Sequence, residues 1–207
     1  RISRKVKIID PYYLDPYKLA AKAPIQRGHF DRHMQLLGRL ITELGADATS
    51  SDLSISIDVE AKPPKNDMDV RTLGTRDIID AFGSVWMMIC EEVKAALTRR
   101  GEFQRKLRLT YRCWQRSRKA TTSSTLDWHG RYLLFDRMGI NVEPGLQERP
   151  GKGAINIISR RSDTFQQYWA AVEDNGDGFA GCEKIHSRTE AFKMSKNGSI
   201  TTSAITK

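Results

Sequence analysis

The stretch RRGEFQRKLRLTYRCWQRSRK, residues 99–119, decides how the rest of the chain is read. It holds nine Arg or Lys and one acid, so it carries eight of the nine net positive charges of the 207-residue sequence. Read with a period of two, Leu107, Leu109, Tyr111 and Cys113 fall on one side, and Lys106, Arg108, Arg112, Trp114, Arg116 and Arg118 on the other. This spacing predicts a strand with one core face and one cationic face. Cations about 6–7 Å apart along such a face can engage several phosphates at once through charge-assisted hydrogen bonds. Lys106, Arg108, Arg112, Arg116, Arg118 and Lys119 are therefore the candidate polyanion-binding residues.

Working outward, the run before this strand reads as the best helix in the chain. Thr75 caps it, Asp77 suits its positive end, and Ile78, Phe82, Val85, Trp86, Ile89, Val93 and Leu97 recur at helical spacing until Arg99, Arg100 and Gly101. Met87 and Met88 read as packing filler. LSISIDV at 53–59 alternates as a strand, closed by Pro63-Pro64. Asp31 caps a helix through Leu44 with Met34, Leu37, Leu40, Ile41 and Leu44 on one face, stopped at Gly45. Residues 1–28 carry three prolines and two Pro-Tyr steps, a composition that predicts an extended N-terminal arm. Arg4, Lys5, Lys7, Tyr12, Tyr13 and Tyr17 in that arm are candidates for membrane contact or self-association.

Downstream, KATTSST at 119–125 reads as polar loop, LDWHG at 126–130 as a short strand, and RYLLFDRMG at 131–139 as a turn of helix. Residues 141–153 are rich in Gly and Pro and predict an exposed connection before the strand GAINIIS. Asp163 with Gln166 forms a capping-box pattern for a short helix carrying Phe165, Tyr168, Trp169 and Val172 and ending at Asn175-Gly176. Asn197-Gly198 predicts a two-residue hairpin turn between terminal strands. Helices and antiparallel-type strands that do not alternate regularly define an α+β class. The expected architecture is a single domain over residues 29–207, a mostly antiparallel sheet packed by helices and preceded by the arm.

Chemistry-bearing motifs are few. Glu173, Asn175, Asp177 and Gly178 match half of an EF-hand loop, but Lys184 stands where a bidentate acid is needed. His29 and His33 lack the rest of a zinc signature, and Cys182 with His186 is only a spacing. No phosphate-binding loop, GxSxG or GxGxxG is present. The reading is of a non-enzymatic protein with no cofactor and no metal. Three cysteines without a CxxC pair favour free thiols in a reducing compartment, cytosol or nucleus. No apolar run reaches the ~20 residues of a membrane span, and the N-terminal stretch lacks the apolar segment of a secretory signal. A net charge of +9 favours polyanionic partners, nucleic acid or an anionic membrane face.

HGRYLLFDRMG at 129–139 resembles the Gly-Arg, apolar, Arg-Met-Gly turn of rhabdovirus matrix proteins of the vesiculovirus type. Around it LSISIDVEAK, VRTLGTRDIIDAFGSVW, RKLRLTYRCW, GKGAINIIS, the helix around Tyr168 and Trp169, and FKMSKNGSITTSAIT find counterparts in order, so the likeness spans residues 53–207. The family's budding motif has only partial echoes at Pro11-Tyr12 and Pro16-Tyr17. KATTSST is polar where the family can carry an exposed apolar loop. The resemblance implies a structural protein that bridges the viral nucleocapsid and the inner leaflet of the envelope, self-assembles into an oligomeric lattice and drives budding. Its implied location is the virion beneath the envelope, with the host cytoplasm, the cytoplasmic face of host membranes and the nucleus as cellular sites. The alternative from residues alone is an RNA-binding domain using 105–119, with Trp114 or Tyr111 stacking on bases.

Overall fold

The computed structural model describes residues 4–11, 13, 14, 16, 27–44, 52–61, 75–100, 106–116, 124–126, 128, 130–143, 154–173, 175–195 and 197–205. Within them the order is β1 (Lys5–Ile9), α1 (Arg27–Leu44), β2 (Leu53–Glu60), α2 (Thr75–Arg100), β3 (Lys106–Arg116), β4 (Tyr132–Phe135), β5 (Met138–Glu143), β6 (Ala154–Ser159), α3 (Asp163–Ala171), β7 (Cys182–Met194) and β8 (Ile200–Ala204). The eight strands form one sheet in the order β6-β5-β4-β1-β2-β3-β7-β8. β1–β2 and β2–β3 are parallel and the other five pairings antiparallel, so the chain is α+β with a mostly antiparallel sheet.

The two faces of the sheet differ in what covers them. On one, the alternating residues Val6 and Ile8 of β1, Leu53, Ile55, Ile57 and Val59 of β2, and Leu107, Leu109, Tyr111 and Cys113 of β3 are buried under α1 and α2. α2 contributes Ile78, Phe82, Val85, Trp86, Ile89, Val93 and Leu97, the positions its helical spacing predicts. With that arc taken, Met87 and Met88 point away and are exposed, so they do not fill gaps in the core. The other face carries a smaller cluster. There α3 and the chain after it set Phe165, Tyr168, Val172 and Phe179 on Ile9, Leu134, Trp114 and Trp128.

Several expectations are corrected. Residues 5–9, read as part of the arm, form β1 in the middle of the sheet, because Val6 and Ile8 give even this five-residue run a core side. RYLLFDRMG is strand, turn and strand: Tyr132 to Leu134 are buried on alternating faces, which a single helical turn could not achieve, and Asp136-Arg137 link β4 to β5. β5 also takes in residues 141–143 of the expected connection. Leu126 and Trp128 lie in loop and turn conformation, where Trp128 is buried beneath Trp114 and Phe179 without strand pairing. α3 is capped by Ser162, whose Oγ accepts from Phe165 N–H, in place of Asp163, and it ends at Ala171. The hairpin at Gly198, φ +81°, exists but spans residues 195–199 between Met194 and Ile200, so it is longer than two residues. The Pro63-Pro64 loop, KATTSST up to Ser123, residues 144–153, Tyr12 and Tyr17, and Arg118 and Lys119 lie outside the described residues.

Tyr13 is corrected as well. Its ring is fully buried, stacked on His33 at 4.4 Å, and its hydroxyl donates to His33 O at 2.6 Å. Burial pushes its phenol far above the ordinary tyrosine range. Next to it Leu14 adopts φ +51°, an uncommon conformation for a γ-branched residue. Two bonds hold it there: Leu14 N–H donates to His33 Nδ1 at 3.3 Å, and Leu14 O accepts from Tyr111 OH at 2.6 Å. The start of the chain is thus fastened to α1 and β3 and cannot offer Tyr13 to a membrane.

Candidate anion-binding face

The parallel register of β1, β2 and β3 places side chains in rows across the face that α1 and α2 leave uncovered. One row is Lys5, Ser54 and Arg108; the next is Lys7, Ser56 and Thr110; the third is Ile9, Asp58 and Arg112. Lys106 precedes them and faces Lys193 of β7, and both are exposed. The rows line a hollow of about 430 Å³, bounded by Arg4, Asp52, Val172, Glu173 and Ile205. A second hollow of about 490 Å³ shares Asp52 and Lys106 with it and continues to Lys193 and Thr201. The two basic groups read separately in the sequence, one near the N-terminus and one in β3, meet here.

Not all of these cations face solvent. Arg112 is 4% exposed and binds Asp58, itself fully buried, through Nε at 2.6 Å and a terminal nitrogen at 2.8 Å. The same terminal nitrogen donates to Val172 O at 2.7 Å, and Trp114 Nε1 donates to Asp58 at 2.9 Å. Arg116 donates through Nε to the buried Glu60 at 2.8 Å. A buried bidentate pair is held by charge and by hydrogen bonds on both partners, and losing it would strand a desolvated ion. Arg112 is therefore a structural cation, which corrects its place among the polyanion ligands. Arg116 is paired with Glu60, and Lys106 and Arg108 line the hollow.

Lys7 is likewise enclosed. Its ammonium donates to Trp169 O at 2.7 Å, pairs with Glu173 at 2.9 Å and lies 4.3 Å from the Trp169 ring centroid. Burial holds its pKa below the ordinary lysine value, and Glu173 offsets part of that effect. Arg4 and Lys5 are exposed at the mouth of the hollow. Sequence reasoning missed Ser54, Ser56, Thr110 and Asp52, and it read Glu173 only as part of a half EF-hand. The signal was present in LSISIDVE, whose outward residues are two serines followed by two acids, ordered to match Arg108, Thr110 and Arg112 across the register.

The remaining candidates resolve simply. Trp114 and Tyr111 are 5% and 0% exposed, so neither ring is available for stacking on a base. Cys182 belongs to the cluster under α3, whereas His186 packs edge-on against Phe82 on the opposite face. The register shift at Ile185 separates them, since an extra residue in a strand inverts the alternation that follows. Glu173 is engaged by Lys7, and Gly178, φ +72°, turns the chain beneath Trp114, so the half EF-hand is a turn that serves packing. Among the described residues no group of three or more His, Cys, Asp or Glu could hold a metal ion, and no helix is long and apolar enough to cross a membrane. No family model matches the chain, and no curated protein or solved structure is significantly similar to it.

Proposed function

We propose that this chain is a structural protein of the rhabdovirus matrix type, which bridges a nucleocapsid and the inner leaflet of an envelope and assembles with copies of itself. The observation that carries the reading is the gathering of Arg4, Lys5, Lys106, Arg108 and Lys193 on one uncovered half of the sheet. The ordered likeness over residues 53–207 supplies the type. Each cation near an anionic leaflet contributes about 1 kcal/mol, so five contribute at most about 5 kcal/mol, a dissociation constant near 0.2 mM. One copy would bind weakly. A lattice of copies converts that weak contact into avid attachment, because each further contact is effectively intramolecular. The RNA-binding alternative loses its stacking residues to the core.

Electron microscopy of the protein mixed with anionic vesicles tests the proposal. Coated or tubulated membranes are expected at moderate salt, and neutral vesicles should stay bare. Absence of both coating and self-association across the accessible concentration range would remove the proposal.

A further inference from the structure

The hollow over β1–β3 is more specifically built than a diffuse basic surface requires. Ser56 stands at the centre of its floor, between Lys7 and Thr110 in register and flanked in sequence by the core residues Ile55 and Ile57. The side chain is only 9% exposed, and Oγ has no hydrogen-bond partner and no solvent contact. Leaving a buried hydroxyl unsatisfied is unfavourable unless something else uses it. Around it the lining holds Arg4, Lys5, Lys106 and Arg108 besides the structural cations Lys7 and Arg112, with Asp52 and Glu173 as its carboxylates, and the volume lies in the range of small-ligand pockets, roughly 300–1,000 Å³.

We infer that this hollow binds a single phosphomonoester group. The inference rests on the anionic-partner reading above and names its chemistry. A phosphomonoester carries close to two negative charges at neutral pH and three acceptor oxygens, which suits cations converging from two strands together with a hydroxyl donor below them. Lys106 and Arg108 take two of the oxygens by charge-assisted hydrogen bonds, and Ser56 Oγ, which has no solvent contact in the empty hollow, donates to the third after a χ1 rotation turns it toward the ligand. A phosphodiester or a carboxylate offers less charge and fewer acceptors to the same donors. Glu173 sits on the rim with its charge directed at Lys7, so it tempers the affinity of the empty hollow for stray anions.

The test uses the full chain, amide NMR and inorganic phosphate as probe, with chloride at matched ionic strength as control. Phosphate should shift the amides of Ser56, Lys106, Arg108 and Thr110 saturably. Ser56→Ala should weaken binding roughly three- to tenfold, and Arg108→Gln roughly tenfold or more, in variants whose melting midpoints stay near that of the parent. A second arm compares vesicles of phosphatidic acid with vesicles of phosphatidylglycerol at equal surface charge. A preference for phosphatidic acid that Ser56→Ala removes supports the inference with a lipid headgroup as the source. Saturable phosphate binding without that preference supports it with a free phosphate-bearing molecule as the source. Shifts that fail to saturate, or affinities untouched by both substitutions, overturn it. In that event coated anionic vesicles would still uphold the structural-protein reading, while saturable phosphate binding without any vesicle binding would uphold the inference and remove the envelope reading.

Discussion

Replacing Arg112 by Met should be among the most destabilising changes available on β3, although the residue lies in the most basic stretch of the chain. The magnitude follows from Asp58, which is fully buried and accepts two bonds from Arg112 and one from Trp114. Removing the guanidinium leaves a desolvated carboxylate with the indole alone and also frees Val172 O. Breaking one side of a buried pair costs about 3–5 kcal/mol, a large share of the ~5–15 kcal/mol that holds a domain together. At about 2–4 °C per kcal/mol for a chain of this size, the melting midpoint should fall on the order of 6–20 °C. Replacing both partners, Asp58→Leu with Arg112→Met, should recover most of the loss, because an apolar pair of similar volume carries no stranded charge. Urea unfolding followed by circular dichroism measures both variants, with an unchanged m-value as the check that only stability moved. If Arg112→Met alone stays within about 1 kcal/mol of the parent, less than the smallest cost of an orphaned buried ion, the assignment of Arg112 to structure is wrong. The arginine would then return to the candidate ligands.

Other consequences follow from single sites. Burial, with Arg188 adding to it, holds the His186 pKa below 6.5, so the unfolded chain binds the extra proton first as pH falls. The stability from neutral His186 is therefore complete above about pH 6.5 and is lost as pH falls toward the folded value, with a slope of at most ~1.4 kcal/mol per pH unit. His186→Gln should flatten that part of the urea-midpoint profile, and an unchanged profile would contradict the assignment. Cys90 is pushed up to about 12 by burial and by Glu190, whose carboxylate accepts its thiol hydrogen at 3.4 Å. Iodoacetamide at pH 8 should label it only after unfolding, as read by mass spectrometry, and rapid labelling of the folded chain would refute this. A Cβ at Gly178 would lie 2.5 Å from the Trp114 ring at a backbone φ of +72°. Gly178→Ala should accordingly cost on the order of 2 kcal/mol or more in a urea titration, and a neutral effect would count against the packing described.

The alternation in residues 106–116 was enough to assign the core face of β3, because burial of Leu107, Leu109, Tyr111 and Cys113 depends only on the period of the strand. The opposite face was not legible in the same way. Whether Arg112 meets solvent or Asp58 depends on which strand pairs with β3, and that partner lies more than fifty residues upstream. β1 was hidden for a related reason, since five residues of alternation next to two Pro-Tyr steps carry less weight than the prolines do. YLLF at 132–135 is too short for periodicity to separate strand from helix, an ambiguity that only the pairing of β4 with β1 and β5 removes. The bulge at Ile185 left no mark in composition at all, yet it sends Cys182 and His186 to opposite faces.

The end of α3 explains why basic residues of one face divide into two roles. A helix leaves its last four carbonyls without intrahelical donors, and each of those here has a partner: Trp169 O takes Lys7 Nζ, Ala170 O takes Glu173 N–H, Ala171 O takes Gly178 N–H, and Val172 O takes Arg112. Two of the four are cations supplied by β1 and β3, placed where the helix dipole favours positive charge. Those two strands therefore spend their deeper cations on fastening α3 across the sheet. Once docked, Val172 and Glu173 form the closed end of the hollow, and the shallower cations, Arg4, Lys5, Lys106 and Arg108, line the rest of its wall. Depth along the parallel strands, rather than residue type, separates the arginines and lysines that hold the fold from those that can meet an anion. It follows that neutralising Lys106 should change affinity for anionic vesicles with little change in stability, whereas neutralising Arg112 should do the reverse.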